Sequence, residues 1–146
     1  MFQFPNLSEM LLSIPAVLWA STFHEFCHGY MAYRLGDPTA KAHGRLTLNP
    51  LKHLDTWGTL TLVLTFLGSG GNFFFGWAKP VPVDPRFFKD GQRGMAWVGV
   101  AGPLTNYALA LVAIGVYWVI YTVSGAFIPK MLWMFFALNV ILGTLN

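Results

Sequence analysis

The chain has 146 residues, 55% of them hydrophobic and 10% charged, where an ordinary soluble domain carries about 25% charged residues. This excludes a disordered chain, which needs low hydrophobicity and high charge, and leaves too few polar residues to cover a water-soluble globule of this size. The net charge of +3 is weak and scattered, giving no footing for a nucleic-acid partner, and the lone Cys27 excludes an intramolecular disulfide.

The lipid bilayer is the expected solvent. No basic residue precedes Glu9, so no cleavable signal is expected. Residues 10–33 hold one charged side chain, Glu25, with His24 and His28, and fit one spanning helix capped near Ser8. Residues 94–129 are uncharged and longer than one crossing requires; the helix there is expected to end near Ser124-Gly125, before Pro129. Pro103 should kink this helix unless the helix begins there, and Gly99 and Gly102 permit close approach of a neighbour. Residues 131–146 form a third, shorter apolar run.

Between these runs the chain is harder to place. Trp57 to Leu67 is short for a span and is followed by Gly68-Ser69-Gly70-Gly71-Asn72, which suggests a re-entrant segment, a tilted short helix or a hairpin. Gly44 to Leu48 alternates as a short strand would, and Lys79-Pro80-Val81-Pro82-Val83 is held extended by its prolines, as an edge strand able to pair with an unwound peptide. Every Lys and Arg except Lys130 lies between Arg34 and Arg93. The positive-inside rule puts this region in the cytoplasm and the N-terminus outside, provided residues 57–67 do not cross.

The chemistry-bearing pattern is His24-Glu25-Phe26-Cys27-His28. On a helix, positions i and i+4 share a face, so both imidazoles can hold one zinc ion. Glu25 is then the acid/base that takes a proton from an activated water and returns it to the leaving amine. A carboxylate and two imidazoles inside an apolar span are costly, and such groups usually mark function. A polar patch joining helices is the bland alternative.

Three stretches, HEFCHGYMAYRLGDPTAKAHGRLTLNPLKHLDTWGTL, GWAKPVPVDPRFF and AGPLTNYALA, cover most of residues 20–110. In this order they resemble the site-2 protease family of intramembrane zinc metalloproteases, in its compact bacterial and archaeal branch without a PDZ domain. The resemblance implies one Zn2+ per chain on His24 and His28, Glu25 as the catalytic residue, and Asn106 as a contact to the bent substrate or the oxyanion. It also implies membrane-helix substrates. The family's third zinc ligand is an Asp in an L-D-G motif that this sequence does not contain. Residues 138–146 look like the approach to that motif, with Asn146 as its first residue, so a chain stopping short of the ligand is expected.

His53 and Asp55 are the internal candidates for an alternative ligand or for a residue that orients one. His43 reads as a loop residue, Cys27 as a small packing residue, and Asp37-Pro38 as a turn with no assigned chemistry. Trp77, Trp97, Trp118 and Trp133 suit either interface anchors or packing.

The expected architecture is an α-helical polytopic membrane protein of about three to four membrane segments, with a small β-rich or re-entrant membrane-associated element. Its single core, 1–146, comprises a first core helix (8–35), a β/re-entrant region (40–92), a second core helix (94–124) and the start of a third (131–146). The expected partners are the bilayer and a transmembrane protein or peptide substrate, and a homo-oligomer is compatible. The expected setting is the cell membrane, with the site open to the cytoplasm. Rival readings are an inactive pseudo-protease scaffold that binds membrane helices, disfavoured by Glu25, and a metal transporter or sensor, disfavoured by the absence of charge and His from 94–129.

Overall fold

The computed structural model describes the backbone of residues 7–70, 75–124 and 130–145, and side chains over 14–70, 75–123 and 132–145. The expectations for Ser8 as a cap, for Gly125 to Pro129 and for Asn146 lie outside the described side chains.

Three long helices make the framework: α1 (Leu7–Arg34), α4 (Gly91–Ser124) and α5 (Lys130–Leu145). They pack on one another pairwise. Small residues at the contacts, Ala16, Ala20, Ala101, Ala110 and Ala113, are buried and let the backbones approach. The polarity is the reverse of a soluble bundle. Thr22, His24, Asn106 and Asn139 are buried between the helices, while Leu111, Val119 and Val123 of α4 are 70%, 62% and 82% exposed. Trp97, Trp118 and Trp133 are also largely exposed, which favours anchoring over packing.

Among the described residues α4 alone is long and apolar enough to cross a membrane. At about 1.5 Å per residue it is far longer than a bilayer core of about 30 Å. It runs uninterrupted through Pro103, so the helix neither begins nor stops there. Gly99 faces open space rather than a neighbour, whereas Gly102 sits in close contact with α1.

α1 ends where Gly36 takes a positive φ of 106°, a conformation that costs glycine little. Asp37 follows, fully buried. Its Oδ1 accepts from the backbone N–H of Thr39 at 2.8 Å and from the Thr39 hydroxyl, and its Oδ2 accepts from the Asp84 N–H at 2.7 Å. The turn after α1 is thereby tied to a segment 47 residues further on. The short α2 (Thr39–Ala42) and a 3-10 turn (Pro50–His53) lead to α3 (Thr56–Gly68).

α3 is 13 residues long, about 20 Å at the helical rise, which is too short for a normal span. It folds back as a hairpin. The Gly58 backbone lies so close to Trp77 that a Cβ on Gly58 would stand 2.1 Å from the Trp77 carbonyl oxygen. The Thr65 hydroxyl accepts from the Phe75 N–H at 2.9 Å. The returning chain meets its start, with the Lys79 N–H donating to the His53 carbonyl at 2.8 Å.

The strand expected over 44–48 is a series of bends, and no named strand occurs among the described residues. One isolated antiparallel bridge, Leu54 with Ala78, stands where a β-rich element was expected. Pro80 and Pro82 explain much of this, because each lacks the N–H a ladder needs. Residues 79–84 are nonetheless extended, and their fastening comes from elsewhere. Arg45, itself buried, donates through Nη2 to the Lys79 carbonyl at 2.5 Å and more weakly to Pro80 at 3.4 Å.

Candidate active site

α1 presents two adjacent i, i+4 pairs: His24 with His28, and Glu25 with Gly29. The first pair faces α4. The His24 and His28 Nε2 atoms lie 2.9 Å apart. The His28 Nδ1 is 2.6 Å from the carbonyl of Val98, and the His24 Nδ1 is 2.5 Å from Oδ1 of Asn106. A backbone carbonyl only accepts, so His28 carries its proton on Nδ1 and donates. Nδ2 of Asn106 faces two acceptors, the Ala20 carbonyl at 3.4 Å and Oδ1 of Asn139 at 2.8 Å. Its Oδ1 therefore faces His24, which also carries its proton on Nδ1.

The consequence is chemical. In the neutral rings both Nε2 atoms are lone-pair donors, and they point at the same place. Two lone pairs at 2.9 Å repel unless a proton or a metal ion lies between them. Gly102 keeps that place open: a Cβ there would lie 2.4 Å from the His28 Nε2 and 2.7 Å from the His24 Nε2. The pair thus offers two of the ligands a zinc ion takes, as neutral imidazoles whose second nitrogens are held by hydrogen bonds.

Glu25, on the neighbouring face, meets the extended segment. Its Oε2 accepts from the Val81 N–H at 2.8 Å. Between Pro80 and Pro82 this is the single backbone donor the chain can offer. The Val81 side chain seats against α1 beside Gly29, where an added Cβ would come within 2.9 Å of it.

The other candidates go elsewhere. Asp55 caps α3, accepting from the Gly58 N–H at 2.8 Å. His53 is buried, with Nε2 2.8 Å from the Thr47 carbonyl. His43 is an exposed residue whose Nδ1 meets the Thr39 carbonyl. Among the described residues no group of three His, Cys, Asp or Glu is placed to hold a metal, so neither His53 nor Asp55 joins the imidazole pair. Asn106 reaches a histidine rather than an open substrate position. Sequence reasoning passed over Val81, which acts through its backbone, and Asn139, whose only signal was an amide inside an apolar helix.

An α-helical framework with an H-E-x-x-H motif facing a second long helix, His24 buried and His28 partly buried, defines a candidate metallohydrolase. The comparisons agree. The chain is 42% identical over 111 residues to "Putative zinc metalloprotease YwhC" of Bacillus subtilis, covering 76% of this chain and 47% of that protein. It is 34% identical over 105 residues to "Putative zinc metalloprotease Rip2" of Mycolicibacterium smegmatis, covering 72% of this chain and 39% of the relative. The Mycobacterium tuberculosis protein of the latter name is 36% identical over 88 residues, covering 60% of this chain and 32% of its own. The chain thus spans less than half the length of these curated relatives. No family model and no solved structure matches. The chain is a homologue of proteins bearing the zinc metalloprotease name, which supports the site-2 protease resemblance of its motifs.

Proposed function

We propose that the chain is the catalytic part of an intramembrane zinc metalloprotease, in which His24 and His28 hold the metal and Glu25 moves the proton. The observation that carries this is the pair of inward-facing Nε2 atoms, with their Nδ1 atoms committed to Asn106 and Val98. Zinc, when bound, supplies the Lewis acidity that brings the pKa of water to about 7.

The remaining steps belong to the chain. Val98 and Asn106 orient the two imidazoles. The Val81 N–H orients the Glu25 carboxylate, which accepts the proton of the attacking water and delivers it to the leaving amine. Gly102 leaves room for the reacting groups. The substrate is a transmembrane segment of another protein. It must unwind locally, because the carbonyls of an intact helix are hydrogen-bonded and shielded.

In this reading the protein is polytopic. α4 is long and apolar enough to cross the bilayer by itself, α1 and the shorter α5 cross packed against it, and the α3 hairpin dips in and returns. Support comes from the exposed apolar face of α4 and the buried polar residues between the helices. The hairpin brings Lys79 back to His53, so the basic residues on its two sides share one face of the membrane. By the positive-inside rule this face is cytoplasmic and the site opens to it. A third ligand lies outside the pair and its described neighbours.

Cleavage of a labelled transmembrane peptide tests the reading. Glu25→Gln should lower turnover by about 10²–10⁴-fold with zinc still bound. Unchanged turnover in Glu25→Gln would remove the proposed acid/base, and binding of the peptide with no cleavage by the unsubstituted chain would favour the scaffold.

A further inference from the structure

The hydrogen bonds behind His24 have a direction, and it originates on α5. The side-chain Nδ2 of Asn139 donates to the carbonyl of Phe135 at 2.7 Å. That carbonyl is an acceptor only, so the Asn139 amide cannot be flipped without turning its oxygen onto another oxygen. Its Oδ1 must then face Asn106 and accept from Nδ2 at 2.8 Å. This in turn commits the Asn106 Oδ1 to His24, and with it the proton on the imidazole Nδ1. Both amides are fully buried, so no water competes to reverse them. After the first link, within α5, the next two cross between helices: α5 to α4, then α4 to α1.

We infer that Asn139 is a positioning residue for the metal site, setting through Asn106 the tautomer of His24 that leaves Nε2 free to bind the ion. The inference rests on the function proposed above for His24, but its first readout needs no metal. The bland account of two buried asparagines is helix glue. Glue requires only that the amides pair, whereas the positioning role requires that they pair in one direction. Asn139→Leu fills similar space and removes the nearer acceptor for Asn106, leaving only the Ala20 carbonyl at 3.4 Å to hold its nitrogen away from His24. Asn139→Asp is the conservative counterpart. Burial favours the neutral carboxylic acid, which donates to Phe135 and accepts from Asn106 as the amide does.

The experiment has two readouts on the detergent-solubilised chain. Nitrogen NMR of metal-free, ¹⁵N-histidine-labelled protein should show His24 protonated at Nδ1 and unprotonated at Nε2. The zinc dissociation constant should rise about 10–100-fold in Asn139→Leu and stay near the unsubstituted value in Asn139→Asp. A His24 proton on Nε2 in the unsubstituted chain overturns the inference, whether or not the leucine variant folds. Unsubstituted zinc affinity in Asn139→Leu overturns it too, as does equal weakening in both variants. No zinc binding by the unsubstituted chain would instead refute the proposed function, and the tautomer would still be readable.

Discussion

The two faces of α1 that carry chemistry are held in different ways. His24 and His28 point into a helix-helix contact, and their partners are a helix carbonyl on α4 and a buried amide backed by α5. Glu25, one residue along, is met by an extended segment with no ladder of its own. That segment is fastened at separate points: His53 and Arg45 at Lys79, Glu25 at Val81, and Asp37 at Asp84. The difference separates two tasks. In the proposed function, metal binding would rest on packing of the long helices, and proton transfer on a strap whose position depends on a handful of hydrogen bonds.

Substitutions can break the two sides independently. The largest effect is expected from Gly102→Ala, which drives a methyl group onto both Nε2 atoms. Zinc content should fall to background by elemental analysis, with a stability loss of about 1–3 kcal/mol from overpacking. Val81→Pro acts on the other side, deleting the N–H that Glu25 accepts while keeping the backbone extended. Turnover should fall about 10–100-fold, as for other groups that orient a metal site's reacting residues, and zinc content should not change. Loss of zinc in the proline variant would mean that the two faces are not separable.

The smallest effect lies at the strap's far end. The exposed Arg86 guanidinium hydrogen-bonds the partly buried Asp84 side chain, with Nη2 to Oδ2 at 2.6 Å, and holds its carboxyl below the usual carboxylate range. A lowered carboxyl favours the folded state above its ordinary pKa, and that contribution is lost as pH falls through the lowered value. Carboxyl-carbon NMR should show Asp84 titrating below a free aspartate, and Arg86→Ala should move it up. Because the arginine is exposed and screened by solvent, cleavage at neutral pH should barely respond.

The sequence was most informative where chemistry resides in side-chain identity at helical spacing. The facing of His24 and His28 was legible because i, i+4 places two imidazoles on one face whatever surrounds them. The long helices were legible as apolar runs nearly free of charge, of which the uncharged 94–129 exceeds the length of a bilayer crossing. Of the two readings of the 40–92 region, β-rich or re-entrant, the first finds no named strand among the described residues, for a definite reason. Alternation in Gly44 to Leu48 and the prolines of 79–83 signal extended backbone, but extension is not pairing, and the prolines withhold the donors. Asp37 looked like a plain turn residue because its partner, the Asp84 N–H, is a backbone group. Asn139 was passed over because an amide in an apolar helix does not reveal the direction of its hydrogen bonds.

The central claim is that His24 and His28 share one metal ion. It is tested most directly by titrating zinc into the metal-free chain and into His28→Ala, with bound metal counted per chain. One zinc per chain, lost in His28→Ala, is the predicted result. Equal binding by both proteins, or no binding by either, would contradict it.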